Sequence, residues 1–180
     1  LRQRGSPVAL AVRGGAFGVV SGDTFTLDPT DLDHYRRLLN SDWARQLPAG
    51  FRVVDLRPVD EPAALLRELG DERLASGDAA RLPLPQLLLA QAAATYAGAA
   101  PLKLWFVTRL AQPAGADELV LEGALVWGFG RTLALEHPAL LAGLIDLGGQ
   151  SPSEAAVRLA AELLEPDGET QLAWRGDQRL

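Results

Sequence analysis

Apolar and polar positions along this chain change period from two to about 3.6 and back, the pattern of strands alternating with helices. Residues 7–12 (PVALAV) form a continuous apolar run, which predicts a strand covered on both faces of a parallel sheet. Residues 17–27 alternate around Ser21, Gly22 and Asp23, which predicts a β-hairpin with a Gly-Asp turn. Leu32, Tyr35, Leu38 and Leu39 then fall at helical spacing behind Asp28, the expected N-cap, and Pro29, the expected first helical residue. Further strands are expected at 51–56, 102–108, 141–147 and 171–174, and helices at 61–69, 86–97, 121–137 and 153–164. Residues 1–4, closed by Gly5, read as the last turn of a helix. The segments 71–85 and 111–117, punctuated by Gly and Pro, read as irregular. This order predicts an α/β fold: a mostly parallel sheet with flanking helices and right-handed crossovers, preceded by an N-terminal β-hairpin.

The most informative segment is 121–147, LEGALVWGFGRTLALEHPALLAGLIDL, a long apolar helix stopped by Pro138 and followed by a buried strand. Leu121, Leu125, Gly128, Thr132 and Leu135 make one face of the helix and Val126, Phe129 and Leu133 another, so the pattern predicts cover on most sides. An interior glycine costs about 1 kcal/mol against alanine. Gly128 and Gly130 therefore predict a neighbouring backbone packed closely against them, and a bulky residue at Gly128 is expected to overpack the site by about 1–3 kcal/mol. Arg131 interrupts the apolar surface, and Glu136, Asp146 or a partner domain is its expected counterpart.

These residues carry a resemblance. Val126-Trp127-Gly128-Phe129-Gly130-Arg131, followed by Ala134-Leu135-Glu136-His137-Pro138 and Gly143-Leu144-Ile145-Asp146-Leu147, resembles the non-catalytic, structural half of ketoreductase regions in bacterial modular type I polyketide synthases. Leu104-Trp105-Phe106-Val107-Thr108-Arg109 agrees with it, as do Phe25-Thr26-Leu27-Asp28-Pro29 and the helix that follows through His34-Tyr35-Arg36-Arg37-Leu38-Leu39. The resemblance implies a truncated Rossmann-like, short-chain-dehydrogenase-like fold over residues 1–180, with a first strand upstream and a catalytic half or an inserted enoylreductase downstream. Trp105, Trp127, Gly128, Phe129, Gly130 and Arg131 are the residues expected to pack the core or meet a neighbouring domain.

Composition narrows the choice of function. With 180 residues, 48% of them hydrophobic, the chain has enough apolar material for one domain. It has no cysteine, so disulfides, thiolate nucleophiles and Cys-rich zinc sites are excluded, which fits a reducing cytoplasm. A net charge of −6 with a single lysine, Lys103, argues against a surface that tracks nucleic-acid phosphates. No apolar run approaches the roughly 20 residues that span a bilayer, and no signal-peptide pattern opens the chain. The absence of methionine predicts a segment of a longer polypeptide.

Candidate chemistry fails residue by residue. Arg13-Gly14-Gly15-Ala16-Phe17-Gly18 follows the first strand, but Arg13 stands where a dinucleotide fingerprint needs its first glycine, and a strand pattern follows where the pyrophosphate needs a helix N-terminus. Gly128-Phe129-Gly130 lies inside a helix, whose amides are already bonded. Neither Tyr35 nor Tyr96 has a lysine or asparagine four positions on, the spacing that would tune a tyrosine acid. His34 and His137 lack partners at readable spacing, and a triad of Ser21, Asp23 and His137 would rest on invented distances. The acidic groups Asp28, Asp31 and Asp33, Asp71 and Glu72, and Glu162 and Glu165 read as a helix start and solvated faces. No catalytic, cofactor-binding or metal-binding residue is therefore assigned.

The resemblance accounts for these absences. It implies a scaffold for a catalytic half that binds NADPH and reduces β-ketoacyl chains held on an acyl carrier protein, or a pseudo-ketoreductase supporting a neighbouring enoylreductase, dehydratase or methyltransferase. The alternative is an autonomous small α/β NAD(P)-dependent reductase or acyl-binding enzyme, for which Gly14–Gly18 would have to cradle a phosphate.

Overall fold

The computed structural model describes residues 1–47, 50–60, 83–98, 101–115 and 119–180. The expected helix at 61–69 and most of the irregular segment 71–85 lie outside them. The chain divides into two compact units, Leu1–Arg52 with Leu84–Lys103, and Val53–Pro83 with Leu104–Leu180.

In the first unit a one-turn 3-10 helix, Arg2–Arg4, ends at Gly5 in the left-handed conformation. Three strands follow, β1 (Leu10–Arg13), β2 (Gly18–Ser21) and β3 (Thr24–Leu27), in the order β1-β3-β2. β2 and β3 form the expected antiparallel hairpin around Gly22 and Asp23, and β1 pairs with β3 in parallel. The expectation of a first strand buried on both faces is overturned: β1 starts at Leu10 and is exposed at every position. It is an edge strand with partners on one side, and an aliphatic run cannot by itself report whether anything covers it.

Helix α1 (Leu32–Leu39) begins later than expected. Asp28 is not its N-cap; its carboxylate accepts from the Thr30 amide at 2.8 Å and the Thr30 hydroxyl at 2.6 Å, turning the chain before the helix. Asp31 caps instead, accepting from the Asp33 amide at 2.8 Å in extended conformation. An aspartate can serve as a turn former or as a cap, and the position of the first helical amides assigns the cap to Asp31. α1 buries Tyr35 and Leu39 and packs on α4 (Leu84–Ala94), whose buried face is rich in alanine, so the two axes approach closely. Helix α2 (Asp42–Arg45) and α3 (Arg57–Asp60) are single turns, separated by β4 (Phe51–Asp55). α4 starts before residue 86 because Pro85 fits a first helical turn. Gly50 at φ 85 lies so near the Pro101 carbonyl that any Cβ would collide with it.

The second unit contains the parallel sheet. β5 (Leu102–Arg109), β6 (Leu141–Leu147), β7 (Gln171–Arg175) and β8 (Gln178–Arg179) continue from β4 in the order β4-β5-β6-β7-β8. β5, β6 and β7 run parallel, with Thr108 beside Asp146 and Asp146 beside Ala173. Helix α5 (Leu121–Glu136) joins β5 to β6, and α6 (Pro152–Leu164) joins β6 to β7. Alternation along the strands divides the core. Phe106 meets Phe129 of α5 at 5.9 Å between ring centroids, and Leu144 lies against Gly130 of the same helix. Trp105, Val107, Ile145, Leu147 and Leu172 point the other way, into a cluster with Ala155, Leu159 and Leu163 of α6. The two helices thus cover opposite faces although both connections step in the same direction along the sheet. Their crossovers have opposite hands, so the expectation of right-handed crossovers throughout holds for only one of the pair.

α5 corrects a further expectation. It buries one stripe, Gly123, Val126, Trp127, Gly130 and Leu133, while Ala124, Leu125, Gly128, Thr132 and Leu135 are exposed, Leu135 at 86%. A Cβ on Gly130 would strike Leu144 and one on Gly123 would strike Ala111, but one on Gly128 meets nothing within 4 Å. Close packing is therefore a property of Gly123 and Gly130, and Gly128 lies on the open side. The β7–β8 hairpin replaces the single final strand expected from the sequence. Its turn is Gly176-Asp177, the same dipeptide as the N-terminal hairpin, with Gly176 at φ 54.

Candidate functional site

In open α/β sheets, ligands bind at the carboxyl ends of the parallel strands. In this chain that edge holds a fully buried carboxylate, Asp146, the one charged residue of β6. Thr108, the residue beside it on β5, donates its hydroxyl to Oδ1 at 2.6 Å. The Ala111 amide lies 2.9 and 3.0 Å from the two carboxylate oxygens, and the Gln112 amide donates to Oδ2 at 3.0 Å. Arg175, at the end of β7, completes the set with Nη2 2.7 Å from Oδ2. A bare carboxylate in such a place costs several kcal/mol, and this ring of donors offsets the cost.

Each donor is held by contacts of its own. Leu110 sits at φ 52, a left-handed conformation unusual for leucine, which turns the next two amides inward as an anion nest. Its amide donates to the Leu147 carbonyl at 2.8 Å and its carbonyl accepts from Val120 at 2.7 Å. The Thr108 hydroxyl accepts from Trp127 Nε1 at 2.9 Å, which anchors α5 to the same point. Arg175 also donates to the carbonyls of Gln112 and Trp174 at 2.6 and 2.9 Å. Beside this cluster Arg109 donates to the Gly148 and Gln150 carbonyls at 2.7 and 3.1 Å, tying the end of β5 to the loop before α6.

The N-terminus of α6 is the second place on this edge where an anion would be welcome. It too is filled from within: the Ser151 hydroxyl serves the Glu154 amide, and Glu154 Oε2 accepts from the Ser151 amide at 2.9 Å and from its hydroxyl at 2.6 Å. Those Ser151 bonds hold the Glu154 carboxyl below the usual glutamate range.

The six residues expected to pack the core or meet a neighbouring domain lie on different faces of the second unit. Trp127, Phe129 and Gly130 meet the sheet on the α5 face, and Trp105 is buried on the α6 face with Gly143 against its ring. Gly128 faces open space. Arg131 pairs with neither Glu136 nor Asp146, two of its three expected counterparts; Nε donates to Gln171 at 3.0 Å, Nη2 to the Gln112 side chain at 3.3 Å, and the guanidinium lies 5.3 Å from the Trp127 ring centre. The cation beside Asp146 is instead Arg175, rooted on the adjacent strand. The turn after β1 leads into strand β2, and the Gly14 amide donates to the Leu27 carbonyl at 2.8 Å. His34 accepts from the Asp28 amide through Nδ1 at 3.0 Å, and the Tyr35 hydroxyl donates to the Pro29 carbonyl at 3.2 Å. Among the described residues no three His, Cys, Asp or Glu side chains converge on a metal position, and no helix is long and apolar enough to cross a membrane.

Asp146 itself was missed by sequence reasoning, except as a possible mate for Arg131. Its signal was present: a lone carboxylate inside an otherwise apolar strand, with a threonine near the end of another.

Comparison with known proteins agrees with this geometry. Residues 41–180 match the family model described as the Rossmann fold domain of polyketide synthase extender module SpnB. The chain is 40% identical over 96 residues to a phenolphthiocerol/phthiocerol polyketide synthase of Mycobacterium tuberculosis, a match covering 52% of this chain and 6% of that protein. It is 39% identical over 99 residues to the pikromycin polyketide synthase component PikAIII of Streptomyces venezuelae, covering 51% and 6%. The chain is thus similar to a small part of each. A solved A1-type ketoreductase superposes with a TM-score of 0.63 at 33% identity, over 89% of this chain and 32% of that one. The resemblance to polyketide synthase ketoreductase regions and the Rossmann-like α/β fold are both borne out.

Proposed function

The chain belongs to the family of Rossmann fold domains of polyketide synthase extender module SpnB, and we propose that it is the non-catalytic, scaffolding half of a ketoreductase region. Its partner is a catalytic half that binds NADPH and reduces the β-keto group of an acyl chain on an acyl carrier protein. The observation that carries this reading is the occupied strand edge. The Ala111 and Gln112 amides after β5 are spent on Asp146, and at the start of α6 the Ser151 amide is spent on Glu154 and the Glu154 amide on Ser151, so these donors serve the chain itself rather than a phosphate or a developing oxyanion.

Residue inventory supports the same reading. A short-chain reductase protonates the new alkoxide from a tyrosine whose acidity is set by a neighbouring lysine or asparagine. The chain has two tyrosines, Tyr35 and Tyr96, one lysine, Lys103, and one asparagine, Asn40; the tyrosines and the asparagine belong to the first unit, and Lys103 lies at the start of β5, at the other end of the strand from Thr108. The open side of α5, with Gly128 flat at its centre and Leu125 and Leu135 beside it, is the surface we assign to the catalytic half.

A fluorescence titration with NADPH and a turnover assay on a model β-ketoacyl thioester test the reading. The chain alone is expected to do neither, and to raise the melting temperature of a catalytic half supplied with it. Gly128→Trp is expected to weaken that stabilisation without unfolding the chain. Saturable NADPH binding or ketone reduction by the chain alone overturns the proposal.

A further inference from the structure

We propose that the loop after β5 is a preformed oxoanion receptor whose resident ligand is the chain's own Asp146 carboxylate, and that a free monocarboxylate can take the same seat once that side chain is shortened. The donors come from three places in the fold: the Thr108 hydroxyl on β5, the Ala111 and Gln112 amides on the loop, and the Arg175 guanidinium on β7. All converge on one carboxyl group, with every donor–acceptor distance between 2.6 and 3.0 Å. Such a set matches the two in-plane oxygens of a carboxylate.

What makes this a receptor, and not only an ion pair, is that its shape is kept by bonds that do not involve Asp146. The Leu110 turn is fixed by Leu147 and Val120, Thr108 by Trp127, and Arg175 by the Gln112 and Trp174 carbonyls. Removing the carboxylate therefore leaves the Thr108 hydroxyl, the Ala111 and Gln112 amides and one Arg175 nitrogen without the acceptor they shared. Buried donors that lose their acceptor are unfavourable, so the pocket attracts an anion that fits. Asp146→Ala deletes one carboxylate group, and formate restores one with the same pair of oxygens. The inference concerns this pocket alone and holds whichever half of a ketoreductase region the chain supplies.

Thermal melting of the full chain and of its Asp146→Ala and Asp146→Asn variants, in sodium formate and in sodium chloride at equal ionic strength, tests it. The melting temperature of Asp146→Ala is expected to rise along a saturating curve in formate and to stay flat in chloride. The chain with Asp146 intact is expected to show no such curve, nor is Asp146→Asn, whose amide fills the seat. If Asp146→Ala does not fold unaided, refolding from urea gives the same readout, with native circular dichroism expected only when formate is present. A formate response that does not saturate, one shared by all three proteins, or an Asp146→Ala chain that stays unfolded at every formate concentration overturns the inference.

Discussion

β1 and β6 are written in nearly the same alphabet, Leu-Ala-Val-Arg against Leu-Ala-Gly-Leu-Ile-Asp-Leu, and their surroundings differ completely. β1 is an edge strand of a three-stranded sheet, with Val12 47% exposed. β6 lies between β5 and β7 with α5 over one face and α6 over the other. The difference shows that in this chain burial is set by the number of neighbours an element acquires, and that a charge is admitted only where neighbours are numerous enough to satisfy it. Asp146 survives in the middle of the sheet because donors from three segments reach it.

The widest separation between the two regions is expected on the charge. Arg175→Ala leaves the Asp146 carboxylate without its cation and is expected to cost about 3–5 kcal/mol, measured by urea unfolding. A loss below that of an ordinary surface substitution would show the pair to be incidental. Truncation of aliphatic side chains comes next. Ile145→Ala in β6 is expected to lose about 2–5 kcal/mol, and Val12→Ala in β1 to stay within about 0.5 kcal/mol. Equal losses would mean that something in solution covers β1.

Glycines sharpen the comparison within a single helix. Gly130→Val is expected to cost about 1–3 kcal/mol because Leu144 has nowhere to go. Gly128→Ala is expected to stabilise the chain by up to about 1 kcal/mol, since the added methyl group meets nothing and the backbone loses freedom in the unfolded state. Loss of stability in Gly128→Ala would contradict the open side of α5.

The smallest effect is expected at the exposed start of α6. The Glu154 carboxyl is held below its ordinary value by the Ser151 bonds, so its folded form is the weaker proton acceptor. Its contribution is present above the ordinary glutamate value of 4.5 and is lost as pH falls through the depressed folded value. Ser151→Ala is expected to remove that part of the acid-side slope in a pH series of melting temperatures, leaving the neutral-pH fold unchanged.

Much of the secondary structure was legible. The strands at β5, β6 and β7, the hairpin of β2 and β3, and the extent of α5 and α6 follow from apolar periodicity, Gly-Asp dipeptides and Pro138, all of which act over a few residues. The misplaced assignments share one cause. Asp28 against Asp31 as cap, Gly128 counted with Gly130 as a close-packed glycine, and Arg131 against Arg175 as the mate of Asp146 are choices between chemically equivalent residues. Sequence spacing cannot rank them where the deciding contact comes from a segment tens of residues away, as with Asp146 and Arg175.

By itself the sequence determined that the chain forms an α/β sheet, that it has no thiol, and that its tyrosines, lysine and asparagine are not spaced for a reductase; these depend on residue type and local period. Only the tertiary structure decided which strand is covered, which side of α5 is free, and that a lone aspartate fills an amide nest at the strand ends. Those outcomes depend on the convergence of β5, β6 and β7, since a carboxylate can be dehydrated only where several donors arrive together.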